Sequence, residues 1–430
     1  MIRSRRDLLH QLAVACELEH GLSLQYLFTA FSLADGFEEG GIHTTEQLTR
    51  VREWKANIFL VAAQEMLHLT QAANLCVAAG GTVQLRRPNF PQPTNYYPTG
   101  LPWRLDPFCA DVIRRYVYYE RAAQIDPSFD CAPTIPRATQ DELDTLDPFR
   151  HLPRALRGQR PRQVEHATIG QLYDAIRDGF SSLPNVIIGP PRAQIDGELV
   201  DMPQLIQVVS RDDAIAGIEL IVSQGEGTTT NHIDSHYGVF STIHDEYCAL
   251  VAKDPDFDPV RPVASNPLSR LHADNTCPGW RLIDDPYTRA VNDLFSSVYE
   301  TSLLMLYRFF ATVEEQRAEL RTMAKTFLRV MTTVIEPVGE ALTLLPMGPA
   351  TPGKTAGPSF ELPRDVQLLP HKRSAWLYLH ERLLDNRDRA ATLAEHDATS
   401  ASVRARLHNA AIVLDQLATL FATHIPRPHP

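Results

Sequence analysis

The sequence predicts an all-α protein: a bundle of long helices elaborated by proline-rich insertions and extra C-terminal helices. Three observations carry that expectation. Apolar residues recur at helical spacing over two unusually long early stretches, prolines crowd into the segments between helices, and period-two strand alternation is scarce.

The first stretch, Asp7 to Leu33, places Leu9, Leu12, Cys16, Leu22, Tyr26 and Leu33 at helical spacing and breaks before Ala34-Asp35-Gly36, which predicts a long amphipathic helix. The second follows Thr44-Thr45, where Thr44 and Gln47 have capping-box spacing, and runs through Ile58, Val61, Met66, Leu69 and Leu75 to Gly80-Gly81. Prolines at 88, 91, 93, 98, 102, 107, 133, 136, 148, 153 and 161 then forbid continuous bundle helices, although Asp106 to Arg121 and Thr168 to Phe180 keep helical periodicity. Helices return at Asp212 to Glu226 and, after GTTTN, at Asp234 to Ala252. Two more, Tyr287 to Glu314 and Ala318 to Leu345, follow a Pro-rich connection, and Ser374 to His396 with Ser402 to Thr423 close the chain as a pair. The expected organisation is residues 1–81 as a first helical pair, 82–209 as a Pro-rich, partly helical insertion packed over the bundle, 210–253 as the second pair, and 254–430 as a C-terminal helical extension.

Composition fits an ordinary globular protein, with 44% hydrophobic and 22% charged residues among 430. The balance of 52 acidic against 41 basic residues, net −11, argues against nucleic acid and anionic membrane as partners. No run reaches the roughly 18 apolar residues that span a bilayer, and Glu17, Glu19 and His20 interrupt the apolar pattern behind the basic start MIRSRRDLLH, so a cytoplasmic location is expected. Six cysteines without CxxC spacing read as reduced thiols. No nucleophile elbow, phosphate loop or dinucleotide fingerprint stands in a strand-turn-helix context.

The chemistry-bearing residues lie in the two early stretches. Glu65 and His68 form a Glu-x-x-His pair in VAAQEMLHLTQAANL, so both side chains converge on one spot of a helix face. Val61, Ala62, Leu69, Ala72 and Leu75 share that face and are apolar. A carboxylate turned into such a core is costly unless paired, and a cation resolves the cost. In CELEHGLSLQYLF, Glu19 continues the register of Leu9, Leu12, Cys16 and Tyr26 and faces the same core. Glu17 lies about 200° around the helix from it, so Glu17-His20, a second Glu-x-x-His, points elsewhere.

Glu19 seven residues before Tyr26, followed by Glu65-Met66-Leu67-His68 on the next helix, resembles the first two helices of ferritin-like proteins, in which these positions supply half of a di-iron or di-manganese site. IVSQGEG (221–227), SHYGVF (235–240) and TAGPSFEL (355–362) are similar to a narrower bacterial ferritin-like family, one that includes a domain of the iminophenylpyruvate dimer synthases of violacein-type pathways. The similar stretches cover about half the chain. The resemblance implies Glu226 as the helix-three carboxylate and His236 as the helix-four imidazole. The alternative is a helix terminus marked by Gly225 and Gly227, with Glu226 solvated and His236 a helix-start residue. Ile233 stands three before His236, so the usual second Glu-x-x-His is missing and the set is one carboxylate short. Glu17, Asp234, Glu246 and Glu219 are candidates for that ligand, with His20 and His232 as further nitrogens; Glu219 sits about 10 Å along the axis from Glu226.

Such a set suits Fe(II) or Mn(II) and is a poor match to soft copper or thiolate zinc sites. The expected function is a non-haem di-iron oxidase or oxygenase, two iron ions or manganese in their place, with O2 or peroxide as co-substrate. Its substrate is expected to be a small organic molecule, an amino-acid-derived intermediate of specialised metabolism being the version the resemblance implies. Tyr26, Tyr237 and Phe240 are the expected pocket lining, and a homodimer and an electron donor are the expected partners. The alternatives are iron or peroxide handling without an organic substrate, and a metal-free helical scaffold.

Overall fold

The computed structural model describes residues 2–92, 103–123, 125, 166, 168–200, 202–227, 233–271, 279–311, 314–362, 368 and 371–425. Helix α1 (Arg5–Phe31) starts on Ser4, whose hydroxyl accepts from the Asp7 amide. Helix α2 (Thr45–Ala78) carries the predicted capping box, with Thr44 and Gln47 satisfying each other's backbone donors. The two pack along their lengths as the spine of the molecule. Contrary to the amphipathic expectation, α1 is buried on every side from Leu18 to Ala34. Elements from later in the chain cover its outer face: Trp103 lies so close over Gly21 that a Cβ there would meet its ring at 2.5 Å.

Two short helices emerge from the Pro-rich stretch, α3 (Ala110–Tyr119) and α4 (Ile169–Ser182), the latter capped by Thr168, where its expected helical periodicity began. Helix α5 (Arg211–Gly225) starts on a Ser210/Asp213 capping box, and α6 (His236–Lys253) on Ser235. Packing pairs α3 with α6 and α4 with α5, and lays α4 on α1 and both α5 and α6 on α2. The inserted helices are therefore walls of the same bundle that α5 and α6 complete.

The remaining helices are α7 (Pro286–Phe310), α8 (Arg317–Val330), α9 (Glu336–Leu342), α10 (Lys372–Ala394) and α11 (Ala401–Ala422). The predicted continuous helix Ala318–Leu345 widens into one π-helical turn, Met331–Ile335, between α8 and α9. Pro337 follows immediately, and its ring and missing amide disfavour a regular bond to the preceding turn. Helices α10 and α11 form a hairpin against α7, and their apolar faces join the same hydrophobic core as the bundle. The extended structure is slight: Pro267–Leu268 (β1) pairs in parallel with Arg281–Leu282 (β2). Cys16, Cys76, Cys109 and Cys248 are free thiols, while Cys131, Cys277 and His232 lie outside the described residues. Among the described residues no helix is long and apolar enough to cross a membrane.

Candidate metal centre

Glu19 from the middle of α1, and Glu65 with His68 from the middle of α2, meet in the bundle interior, each 1 or 2% exposed. The i,i+3 spacing brings His68 Nδ1 to 3.2 Å from Glu65 Oε2, and the Glu19 Oε2 atom stands 3.9 Å from the same nitrogen. His236, first residue of α6, enters from the opposite side, with Nδ1 2.8 Å from Glu65 Oε1. The imidazoles lie 5.2 Å apart, centre to centre. Donor atoms of Glu65, His68 and His236 fall within 4.8 Å of one another, a spacing one cation could span.

The fifth member is Glu120, which sequence reasoning missed. It is the C-cap residue of α3, 2% exposed, with Oε2 3.6 Å from His236 Nδ1. It puts a buried carboxylate beside His236, where the sequence had offered Glu17, Asp234, Glu246 and Glu219. A signal was available: Ile113, Tyr116 and Glu120 share one face at i, i+3 and i+7, and the first two are fully buried. The surrounding prolines hid it, because they mark residues 82–209 as insertion and not as bundle wall.

The other expected ligands are placed differently. Glu17 is half-buried on the face turned from the centre, and Asp234 is exposed. Glu246, ten residues beyond His236 on α6, accepts from the Trp54 indole at 2.7 Å. His20 follows the adjacent side of α1 into another network: its Nδ1 bonds the Leu85 carbonyl at 2.9 Å and its Nε2 accepts from Tyr299 Oη at 2.5 Å. Glu226, the C-cap of α5, borders the same cavity as Glu19, Glu65, His68 and Glu120, but its Oε1 accepts from the Gly170 amide at 2.9 Å.

Hydrogen bonds from outside aim the donor set. His68 Nε2 donates to Gln224 Oε1 at 2.8 Å, and His236 Nε2 bonds Gln64 Oε1 at 3.1 Å. Both imidazoles are thereby fixed with Nδ1 toward the carboxylates, the orientation that metal-binding histidines take from such partners. Tyr173 on α4 donates to Glu19 Oε1 at 2.5 Å, and Tyr26 on α1 donates to Glu120 Oε1. Phe240 packs on Tyr26 at 4.8 Å. These aromatics back the carboxylates and do not line the cavity, which is bounded by Leu22, Ile169, Gly170, Ile221, Val222 and Gly225 besides the acids and His68. Tyr26 spends its hydroxyl on Glu120 and Tyr237 is only half-buried, which corrects the expected pocket lining. The cavity is about 10 Å³, room for roughly one water. A larger polar cleft of about 190 Å³ beside α7 and α10 shares none of these residues.

Electrostatically the cluster is short of positive charge. Burial, then the neighbouring Glu65, pushes the Glu19 carboxyl well above the usual carboxylate range, and burial raises Glu65 as well. Burial would lower His236, but the facing Glu65 and Glu120 outweigh it and raise the imidazole to about 10. For Glu120 the same His236 contact overcomes burial and lowers the carboxyl. Burial depresses His68 to about 4. Protons thus collect on Glu19 and His236, where cations would neutralise the same carboxylates. Glu65 Oε1 and His236 Nδ1 lie within ion-pair distance, yet the angles make no hydrogen bond, and both atoms are buried without a hydrogen-bond partner. A buried carboxylate oxygen and imidazole nitrogen 2.8 Å apart, poorly angled for a hydrogen bond to each other, also fit a shared cation as ligand atoms.

A carboxylate and imidazole cluster at the centre of an all-α bundle defines the class, and comparison with known proteins agrees with it. The chain belongs to the ferritin-like family, whose profile matches residues 12–245. It is 25% identical to the 2-imino-3-(indol-3-yl)propanoate dimerase of Chromobacterium violaceum over 85% of this chain and 35% of that one. It is also 25% identical to the dichlorochromopyrrolate synthase of Lentzea aerocolonigenes, over 99% of this chain and 42% of that one. The chain thus spans well under half the length of these enzymes. A ferritin-like protein from Caulobacter vibrioides superposes with a TM-score of 0.45 at 18% identity, covering 77% of this chain and 95% of that one. The two enzymes are distant relatives of this chain over most of its length.

Proposed function

We propose that the protein is a non-haem metal-dependent oxidoreductase with two iron ions, or manganese in their place, held between Glu19, Glu65, His68, Glu120 and His236. The observation that carries this reading is the convergence of Glu65, His68 and His236 in the buried interior, with one donor atom of each within 4.8 Å of the others. Glu65 faces both imidazoles, one through each oxygen, so it is the residue suited to bridge two positions. Glu19 with His68 would complete one position, and Glu120 with His236 the other. Iron bound there would supply activation of O2 or peroxide. The chain's own part is to hold three carboxylates and two imidazoles in fixed orientation and to keep bulk water out with Leu22, Ile169, Ile221 and Val222. An electron donor is required wherever the substrate does not supply the electrons.

The relatives are named for reactions of indole-bearing intermediates, which supports a small, amino-acid-derived organic substrate in specialised metabolism. The cavity as it stands favours a second reading, iron or peroxide handling, since it admits little more than a water. Anaerobic Fe(II) titration followed by O2 separates the cases. Two equivalents bound, with O2 consumed in step with an aromatic imino acid, supports the first reading. Peroxide loss independent of any organic substrate supports the second, and less than one equivalent bound removes both.

A further inference from the structure

We propose that Glu226, seated on the amide of Gly170, is the gate of the carboxylate cavity and not one of its resident ligands. Metal ions and small uncharged molecules would then reach the centre between the N-terminus of α4 and the C-terminus of α5 when this carboxylate leaves its seat. The inference rests on the metal reading above and names the way in.

Of the four carboxylates around the cavity, Glu19, Glu65 and Glu120 are buried, while Glu226 is half-buried and reaches solvent. It is therefore the member standing between the interior and water. It caps α5 and is followed by Gly227 at φ +82, so it occupies the last position before the chain turns away from the helix. Its Oε1 lies 2.9 Å from the Gly170 amide in the first turn of α4, where an anion is favoured. The seat depends on a missing side chain: a Cβ on Gly170 would lie 2.2 Å from that oxygen, closer than real Cβ atoms come. Ile169, Ile221 and Val222 flank the same side of the cavity, so the opening is apolar at its rim and acidic at its floor. Such a passage accepts a cation or an uncharged molecule and repels an anion.

Gly170→Ala removes the seat, and Glu226→Ala removes the gate without adding volume, so the second variant stands should the first not fold. Each is loaded with Mn(II), the bound ions are counted, and release into excess chelator is timed. The expected result is the wild-type number of ions with loading and release faster by at least about tenfold, a lowering of the barrier by about 1.4 kcal/mol. One ion fewer in Glu226→Ala makes Glu226 a ligand and overturns the gate. Wild-type rates in both variants also overturn it. Wild-type protein that takes up no Mn(II) removes the metal reading itself and the gate with it, an outcome distinct from a loaded protein with unchanged rates.

Discussion

Glu19, Glu65 and His68 stand in the middles of the two longest helices of the bundle, whereas Glu120 and His236 stand at helix ends, one closing α3 and the other opening α6. Mid-helix positions are fixed by the i→i−4 hydrogen-bond ladder on both sides, so the first half of the centre is as rigid as the spine that carries it. End positions rest on caps and on packing between short helices, here the α3–α6 contact. The contrast implies one half built by periodicity and another assembled by tertiary structure, with Glu65 belonging to both.

The largest effect should come from that shared residue. Glu65→Gln keeps the volume but removes the charge that faces His68 at 3.2 Å and His236 at 2.8 Å. Uptake of both Mn(II) ions should be lost by equilibrium dialysis, and retention of one tight ion would show that the halves do not share a bridge. Next in size, His68→Ala and His236→Ala should each leave one equivalent. The ion remaining in His68→Ala sits on the helix-end half and should be the weaker of the two. Equal affinities in the two variants would erase the distinction between a spine half and an assembled half.

Much of the first half was legible because helix periodicity is a local property. Glu-x-x-His and the register Leu12, Cys16, Glu19, Tyr26 announce both the face and its burial within about four turns. The bundle helices were legible for the same reason, down to the Thr44 cap. Glu120 was not, because its importance depends on α3 packing against α6, a contact between segments more than a hundred residues apart. His236 entered through family resemblance, since one imidazole at a helix start carries no periodic signal. Glu226 came the same way: it borders the same cavity, and its carboxylate accepts from the Gly170 amide.

A smaller effect is expected from the two phenols, because each supports one half from behind. Tyr173→Phe removes the donor to Glu19, and Tyr26→Phe removes the donor to Glu120. Loss of such an outer hydrogen bond typically costs about 10- to 100-fold in metal affinity. Each variant should weaken one equivalent and spare the other. Mn(II) titrations combined with His68→Ala or His236→Ala identify which; weakening of both ions by either phenol would mean that the halves are mechanically one unit.

The smallest effect tests whether nearness in sequence to Glu19 means membership of the centre. His20 is next to Glu19, yet its ring is held between the Leu85 carbonyl and Tyr299, on the side of α1 that faces α7. Tyr299→Phe deletes the donor to His20 Nε2 and leaves a buried acceptor unmet, which costs about 1 to 3 kcal/mol. Burial has already driven the His20 imidazole down to about 3, so it stays neutral and cannot recover the loss by taking up a proton near neutral pH. Urea unfolding should show that decrease in stability while both Mn(II) equivalents bind as in the wild type. A fall in metal stoichiometry would instead tie His20 to the centre and extend its rigid half by one ligand.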